Sequence, residues 1–263
     1  MGISTASLFT RYYTEDALPI VKDLGSETAE VFMATFREYT PEFGDLFVAA
    51  KGDLPIHSIH SLNQHFEPDL FNVSPRTRED CERILRSFLD NGRKMGAKYY
   101  TFHGRPRLKP GAYPIDWKGM GKRLEEINSI CSEYGVTLCY ENVNWTLYNY
   151  AGFFRSIKPY APTLKATLDI KQARLSGVDV YDFVEDMGDC LVTLHLSDHR
   201  SDGSMCPPGK GIFDFDKLFR TLKVRGFAGA ALIELYPSDF DTLDQLKESL
   251  DYLKQIRDDI YRE

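Results

Sequence analysis

The feature that most constrains this chain is a repeating pattern. Short apolar or β-branched runs alternate with longer amphipathic segments along its length. Strand-type runs fall near Ile3–Leu8, Ala29–Met33, Ile56–Leu62, Tyr99–His103, Val136–Glu141, Leu164–Asp169, Leu191–His195 and Ala230–Glu234. Between them, apolar residues recur at helical spacing. Ala17, Leu18, Val21 and Leu24 mark Asp16–Leu24; Ile84, Leu85, Phe88 and Met95 mark Arg78–Met95; Leu124, Ile127, Ile130 and Cys131 mark Gly119–Tyr134. Phe215–Leu222 and Leu243–Ile260 repeat the arrangement, and Pro41–Lys51 and Tyr148–Lys158 are shorter, weaker helix candidates. A glycine follows the helix and precedes the strand at Gly96, Gly135 and Gly226, where its left-handed backbone ends the helix.

Strands that alternate with helices pair in parallel, because a parallel neighbour needs a crossover. Doubly wound sheets usually stop at five or six strands, whereas eight close a barrel. No strand is followed by G-x-G-x-x-G or by a P-loop, and the one G-x-G, Gly209 to Gly211, lies in a long loop after His195. The expected fold is α/β, a single (β/α)8 barrel over residues 1–263 with no linker to divide it. That length matches the roughly 250 residues such a barrel needs.

Composition narrows the class further. At 43% hydrophobic and 27% charged the chain has an ordinary globular balance. Its net charge of −7 counts against a surface built to grip nucleic acid. No run approaches the roughly 20 apolar residues that span a bilayer. The first residues show no basic segment followed by an apolar run, so a cytoplasmic location is expected. Cys81, Cys131, Cys139, Cys190 and Cys206 are odd in number and lack C-x-x-C spacing, which fits a reducing compartment.

The chemistry is concentrated where barrel chemistry sits, at the carboxyl ends of the strands. Six strand-type runs end in or near a side chain able to bind a metal: His60, His103, Glu141, Asp169, His195 and Glu234. Singly, each has an ordinary structural explanation; Asp169, for example, is also a good helix cap. One per strand, in step, they point to a shared metal site, with Mn, Mg, Co or Zn all compatible with the donor set. Other residues are less telling. His57 reads as a strand residue facing away from Ile56 and Ile59, and His65 as a loop residue, either solvated or near a substrate. His199 and Arg200 are placed to reach a sugar hydroxyl or phosphate, and Arg105 to Lys109 form a basic loop beyond His103. Trp145 and Tyr148 serve either as pocket wall or as packing.

These motifs resemble the xylose-isomerase-like barrel superfamily, in particular the sugar phosphate isomerase/epimerase group that shares its fold with endonuclease IV. The resemblance rests on Y-E-N at 140–142, L-D-I at 168–170, H-L-S-D at 195–198 with P-G-K-G-I-F-D-F at 208–215, and I-E-L at 233–235. It implies that Glu141, Asp169, His195 and Glu234 hold one divalent metal, and that Glu141 and Glu234 remove and return a carbon-bound proton on opposite faces of a substrate. It also implies a substrate contact from Arg200, and Gln172, Trp145 and His199 are the further substrate-binding candidates. His60 and His103 match ligands of the nuclease's first metal, and so are candidates for a second metal or for substrate.

Two departures stand out. The family's D-x-x-H reads Asp169-Ile170-Lys171-Gln172 here, and the loop SDGSMCPPGKG lacks the Asp-x-His of the nuclease. The implied function is therefore a metal-dependent isomerase or epimerase of a sugar or sugar phosphate, working by proton abstraction α to a carbonyl. The alternatives are an inosose-type dehydratase on the same site, an apurinic-site endonuclease-like metallohydrolase, and a non-catalytic sugar-binding barrel. The expected partner is a small sugar, not a membrane or nucleic acid, and self-association into a homo-oligomer is left open.

Overall fold

A computed structural model describes residues 1–107 and 114–262. Eight parallel strands close a barrel: β1 (Gly2–Ser4), β2 (Thr28–Met33), β3 (Ile56–Ser61), β4 (Tyr99–Phe102), β5 (Thr137–Glu141), β6 (Lys165–Asp169), β7 (Leu191–Leu196) and β10 (Ala230–Ile233). Closure comes from β1, which pairs with β2 on one side and β10 on the other. Gly2 makes that closure possible, because a Cβ there would sit 1.8 Å from the Thr28 carbonyl oxygen. Between β7 and β10, a two-stranded antiparallel ribbon, β8 (Asp198–His199) with β9 (Met205–Cys206), stands over the barrel end.

Around the barrel lie α1 (Thr14–Asp23), α2 (Pro41–Lys51), α3 (Pro75–Met95), α4 (Trp117–Glu133), α5 (Phe153–Ile157), α6 (Ile170–Leu175), α7 (Val180–Met187), α8 (Phe215–Val224) and α9 (Leu243–Arg262). The helix starts follow local chemistry. Ser74 caps α3 by accepting the Thr77 N–H, with Pro75 in the first turn, so α3 begins before the expected Arg78. Among the described residues no helix is long and apolar enough to cross a membrane.

Three expectations need correction. The first strand ends at Ser4 and not Leu8: Ser4 Oγ accepts the Ala6 N–H and the chain turns into a 3-10 helix over Thr5–Leu8. The candidate Tyr148–Lys158 contracts to α5, because Tyr148 stacks on Phe153 in a loop ahead of the helix. The crossover from β6 to β7 consists of α6 and α7, two short helices that the apolar spacing did not mark.

The apolar core lies between barrel and helices. Ile59 packs on Gly92 of α3, where a Cβ would meet Ile59 Cδ1 at 2.5 Å, and Tyr100 meets Phe88 with ring centroids 4.8 Å apart. Each such fully buried large side chain contributes about 1.5–3 kcal/mol.

The barrel interior is different. Branched aliphatic side chains usually fill it, but here Ser4, Glu30, Ser58, Thr101 and Thr193 are fully buried. Lower down, His57 Nε2 lies 2.9 Å from Thr193 Oγ1. An irregular register, Ala29 with Ile56 but Glu30 with Ser58, makes His57 an extra residue on β3. Burial lowers His57 to about 4, against the pull of Glu30. Below pH 6.5 the unfolded chain therefore binds a proton that the folded chain refuses until about pH 4, so stability falls as pH drops through that window. Urea unfolding at pH 7 and pH 5 should show about 2 kcal/mol more loss in the wild type than in His57→Gln. Equal losses in the two proteins would exclude His57 as the source.

Candidate active site

The sequence-predicted residues meet at the carboxyl end of the barrel. His195 Nδ1 lies 3.0 Å from Glu141 Oε1 and 2.8 Å from Glu234 Oε2. Glu141, Asp169 and His195 offer atoms that all lie within 4.8 Å of one another. On the other side of Glu141, His103 Nε2 stands 3.0 Å from Glu141 Oε2 and 3.0 Å from His60 Nε2. All six strand-end residues thus enter one connected cluster.

The motifs around the cluster explain how it is held. Asn142 of Y-E-N clamps Asp169, accepting its N–H at 2.8 Å and donating to its carbonyl at 2.9 Å, which ties β5 to β6. Asp169 is also a helix cap, with Oδ1 accepting the Gln172 N–H at 2.9 Å, so its two readings coexist in one residue. Asp198 of H-L-S-D organises the following loop by accepting the N–H groups of His199, Gly209, Gly211 and Phe213 at 2.7–3.0 Å. Gly211 is required there because a Cβ would lie 2.3 Å from Asp198 Oδ1. Asp198→Ala would leave several donors without their carboxylate and should cost about 3 kcal/mol in urea unfolding. A loss below about 1 kcal/mol would show that the loop holds itself.

Two buried carboxylates that were not predicted support the residues of the cluster. Glu30, in the interior of β2, accepts from Ser4 Oγ, Ser58 Oγ and Thr101 Oγ1 at 3.0, 2.8 and 2.6 Å. Its Oε1 also contacts His195 Nε2 at 3.1 Å and His60 Nδ1 at 3.4 Å, so it backs both histidines. Glu67 accepts from Ser61 Oγ and Tyr100 OH, and from the N–H groups of His103 and Gly104 at 2.9 and 3.0 Å, which fixes the turn carrying His103. Glu30 carries the same sequence signal as the others, a carboxylate within an apolar run. It lies mid-strand, away from the strand ends where barrel chemistry sits.

The electrostatics show a site crowded with electron-pair donors. Burial disfavours the charged forms throughout. For Glu141 that effect is outweighed by His195 and His103, which hold its carboxyl well below the usual range. Burial also opposes charge on His195, but Glu234, Glu30 and Glu141 raise it well above an ordinary histidine. His60 is raised to about 9, with Glu30 outweighing burial. Asp169 is pushed up to about 6, first by burial and further by Glu141 and Glu234, against the pull of Lys171. Glu141 Oε2 and Glu234 Oε2 are buried and accept no hydrogen bond among the described residues. Buried carboxylate oxygens left without donors, beside histidine nitrogens, fit a divalent cation.

The remaining predicted residues scatter around this centre. Trp145 stands over His103 with centroids 5.5 Å apart and is 40% exposed, which puts it on the rim. Gln172 is buried, and its Oε1 accepts the Asn144 N–H at 3.1 Å. His199 is half-buried in β8. Arg200 is not drawn into the cluster: it is exposed and donates to the Met205 carbonyl of its own ribbon at 3.2 Å. His65 lies apart, stacked on Phe36 with Nδ1 3.0 Å from Tyr39 OH, and Tyr148 is core packing. Arg105 and Arg107 dock on the loop after β5 through Leu147 and Trp145, while Leu108 and Lys109 lie outside the described residues.

A barrel with a polar interior and this strand-end cluster can be compared with known proteins. The profile of the xylose isomerase-like TIM barrel family matches residues 18–256. The chain belongs to that family. It is 24% identical over 221 residues to an uncharacterized protein of Methanocaldococcus jannaschii, covering 81% of this chain and 85% of that protein. Among solved members of this fold, a D-tagatose 3-epimerase-like protein superposes with a TM-score of 0.79 at 16% identity, over 100% of this chain and 99% of that one. The IolI protein, solved with a binding zinc atom, gives 0.78 at 16% identity over 99% of each chain. At these identities the likeness of the xylose isomerase-like barrels is one of fold.

Proposed function

We propose that this protein is a divalent-metal-dependent isomerase or epimerase of a small sugar or sugar phosphate, acting by proton abstraction α to a carbonyl. The observation that carries the reading is the approach of two glutamates, Glu141 at the end of β5 and Glu234 directly after β10, to the same nitrogen of His195. Two carboxylates facing one point from different strands can act on a substrate held between them, one as base and the other as conjugate acid. In this reading Glu141, Asp169, His195 and Glu234 hold the cation. When bound, it supplies Lewis acidity that stabilises negative charge developing on a carbonyl oxygen.

Asn142 keeps Asp169 in place, Glu30 backs His195, and Trp145 stands at the rim beside His103. Gln172 and His199 flank the substrate, and Arg200 would have to leave its ribbon contact to join them. His60 and His103, with Glu141, are the candidates for a second cation or for substrate contact. The fold likeness to a D-tagatose 3-epimerase-like protein and to the IolI protein with a binding zinc atom supports this reading. Dehydration of a keto-sugar remains a second outcome of the same proton abstraction, and the net charge of −7 counts against a nucleic-acid substrate.

Native mass spectrometry after exposure to Mn and to Zn separately is the first test, followed by a ketose panel in deuterated water. At least one ion per chain with deuterium entering at the α-carbon is expected. Failure to bind either ion would overturn the proposal. A second ion would assign His60 and His103 as ligands.

A further inference from the structure

The proposed reaction builds up negative charge on a substrate oxygen, and one buried cation in the site finds no acceptor among the described residues. Lys171, in the first turn of α6, follows Asp169 by two positions and is 2% exposed, yet it makes no hydrogen bond or ion pair there. Its ammonium rests 3.8 Å from the centroid of the Tyr236 ring, which steadies a cation but fills none of its three donor positions. Tyr236 in turn follows Glu234 by two positions. Lys171 lies past the end of β6 and Tyr236 past the end of β10, and β7 pairs with both of those strands. The lysine side chain therefore crosses the end of β7, the strand that carries His195.

A buried ammonium without an acceptor is costly. Burial opposes the charge on Lys171, and Asp169 and then Glu234 favour it. Neither carboxylate is close enough to pair with it, so its donors stay open to a group that arrives between them. A substrate held between Glu141 and Glu234 is such a group, and it brings oxygens. A hydrogen bond from an ammonium strengthens as the accepting oxygen becomes negative. The contact therefore favours the transition state over the bound substrate, which is the condition for lowering a barrier.

We propose that Lys171 is a catalytic residue, its ammonium donating a hydrogen bond to the substrate's carbonyl oxygen as that oxygen becomes negative. In this step the C–H bond next to the carbonyl breaks and its proton passes to a glutamate carboxylate. The electron pair left behind forms the C=C bond, and the carbonyl π pair moves onto oxygen. Lys171 keeps its own proton throughout. Tyr236 is the positioning residue, whose ring holds the ammonium in place. The assignment rests on the isomerase/epimerase reading, and the test separates the two.

Acetohydroxamate, whose two neighbouring oxygens lie in one plane like those of an enediolate, is titrated calorimetrically into Mn-saturated protein. The wild type should bind it. Lys171→Met should weaken that binding at least about tenfold while holding Mn at least as tightly. Tyr236→Leu, at a position 52% exposed that does not endanger folding, should weaken it about threefold. Tyr236→Phe, which restores the ring, should recover it. No binding by the wild type, or wild-type affinity in Lys171→Met, would overturn the assignment. If Lys171 only balances the charge of Asp169 and Glu234, Lys171→Met should tighten Mn and leave acetohydroxamate untouched, and that result also overturns it. So would weaker Mn binding in Lys171→Met, which would make Lys171 a support of the cation's ligands. Acetohydroxamate binding that depends on Lys171 while no ketose exchanges its α-proton would sink the isomerase/epimerase reading alone. Exchange at the wild-type rate in Lys171→Met would sink the Lys171 assignment alone.

Discussion

Glu234→Gln is expected to lower solvent-deuterium incorporation at the substrate's α-carbon by about 10²–10⁴-fold in metal-loaded protein, the range for losing a general acid or base. The side chain keeps its size and an oxygen that can still face His195 Nδ1, but it can no longer carry the proton. Because Glu234 is also a proposed ligand, bound metal must be measured in the same sample. With metal retained and exchange lost, the acid/base role stands. Exchange at the wild-type rate would remove Glu234 from the chemistry and leave Glu141 as the sole candidate.

The second large effect is expected one layer below. Glu30→Gln should weaken Mn or Zn binding about 10–100-fold, the usual consequence of losing the carboxylate that backs a metal-ligating histidine. The physical reason is specific to this barrel. Glu30 is fully buried, accepts three hydroxyl hydrogens and contacts ring nitrogens of both His195 and His60. A glutamine amide brings two hydrogens where only acceptor capacity is wanted, so at least one of those contacts is lost. His60 should then titrate below its present value of about 9, because the charge that outweighs its burial is gone. Calorimetric metal titration and histidine proton NMR read the two effects separately. Unchanged metal affinity with unchanged His60 titration would make Glu30 a filler of the barrel interior and nothing more.

Much of this architecture is legible in local pattern. The eight strand-type runs are all present, though β1 is shorter than its apolar run because Ser4 and Ser7 bond to neighbouring backbone in preference to extending the strand. The strand-end residues converge as expected because a parallel barrel brings all its carboxyl ends to one face. The β6-to-β7 crossover was illegible for a simple reason: α6 and α7 are too short for a helical apolar stripe to repeat. Asp198 shows a different limit. Its place in H-L-S-D marks it as special, but nothing local says that it gathers backbone N–H groups from Gly209 to Phe213 rather than binding a ligand.

Local pattern sets the eight strands, their alternation with helical segments and the residue types at the strand ends, because each depends on residues within a turn or two of one another. The tertiary structure alone decided which atoms meet. Glu30 reads as one polar residue in an apolar strand until closure of the barrel sets it against Ser4, Thr101, His60 and His195 from four other strands. The irregular register of β3 lets His57 bond across the barrel to Thr193 while Ser58 and His60 still face Glu30. Side-chain alternation along a strand is a local property, but the register between strands is settled only when the whole ring closes, and that register carries the site.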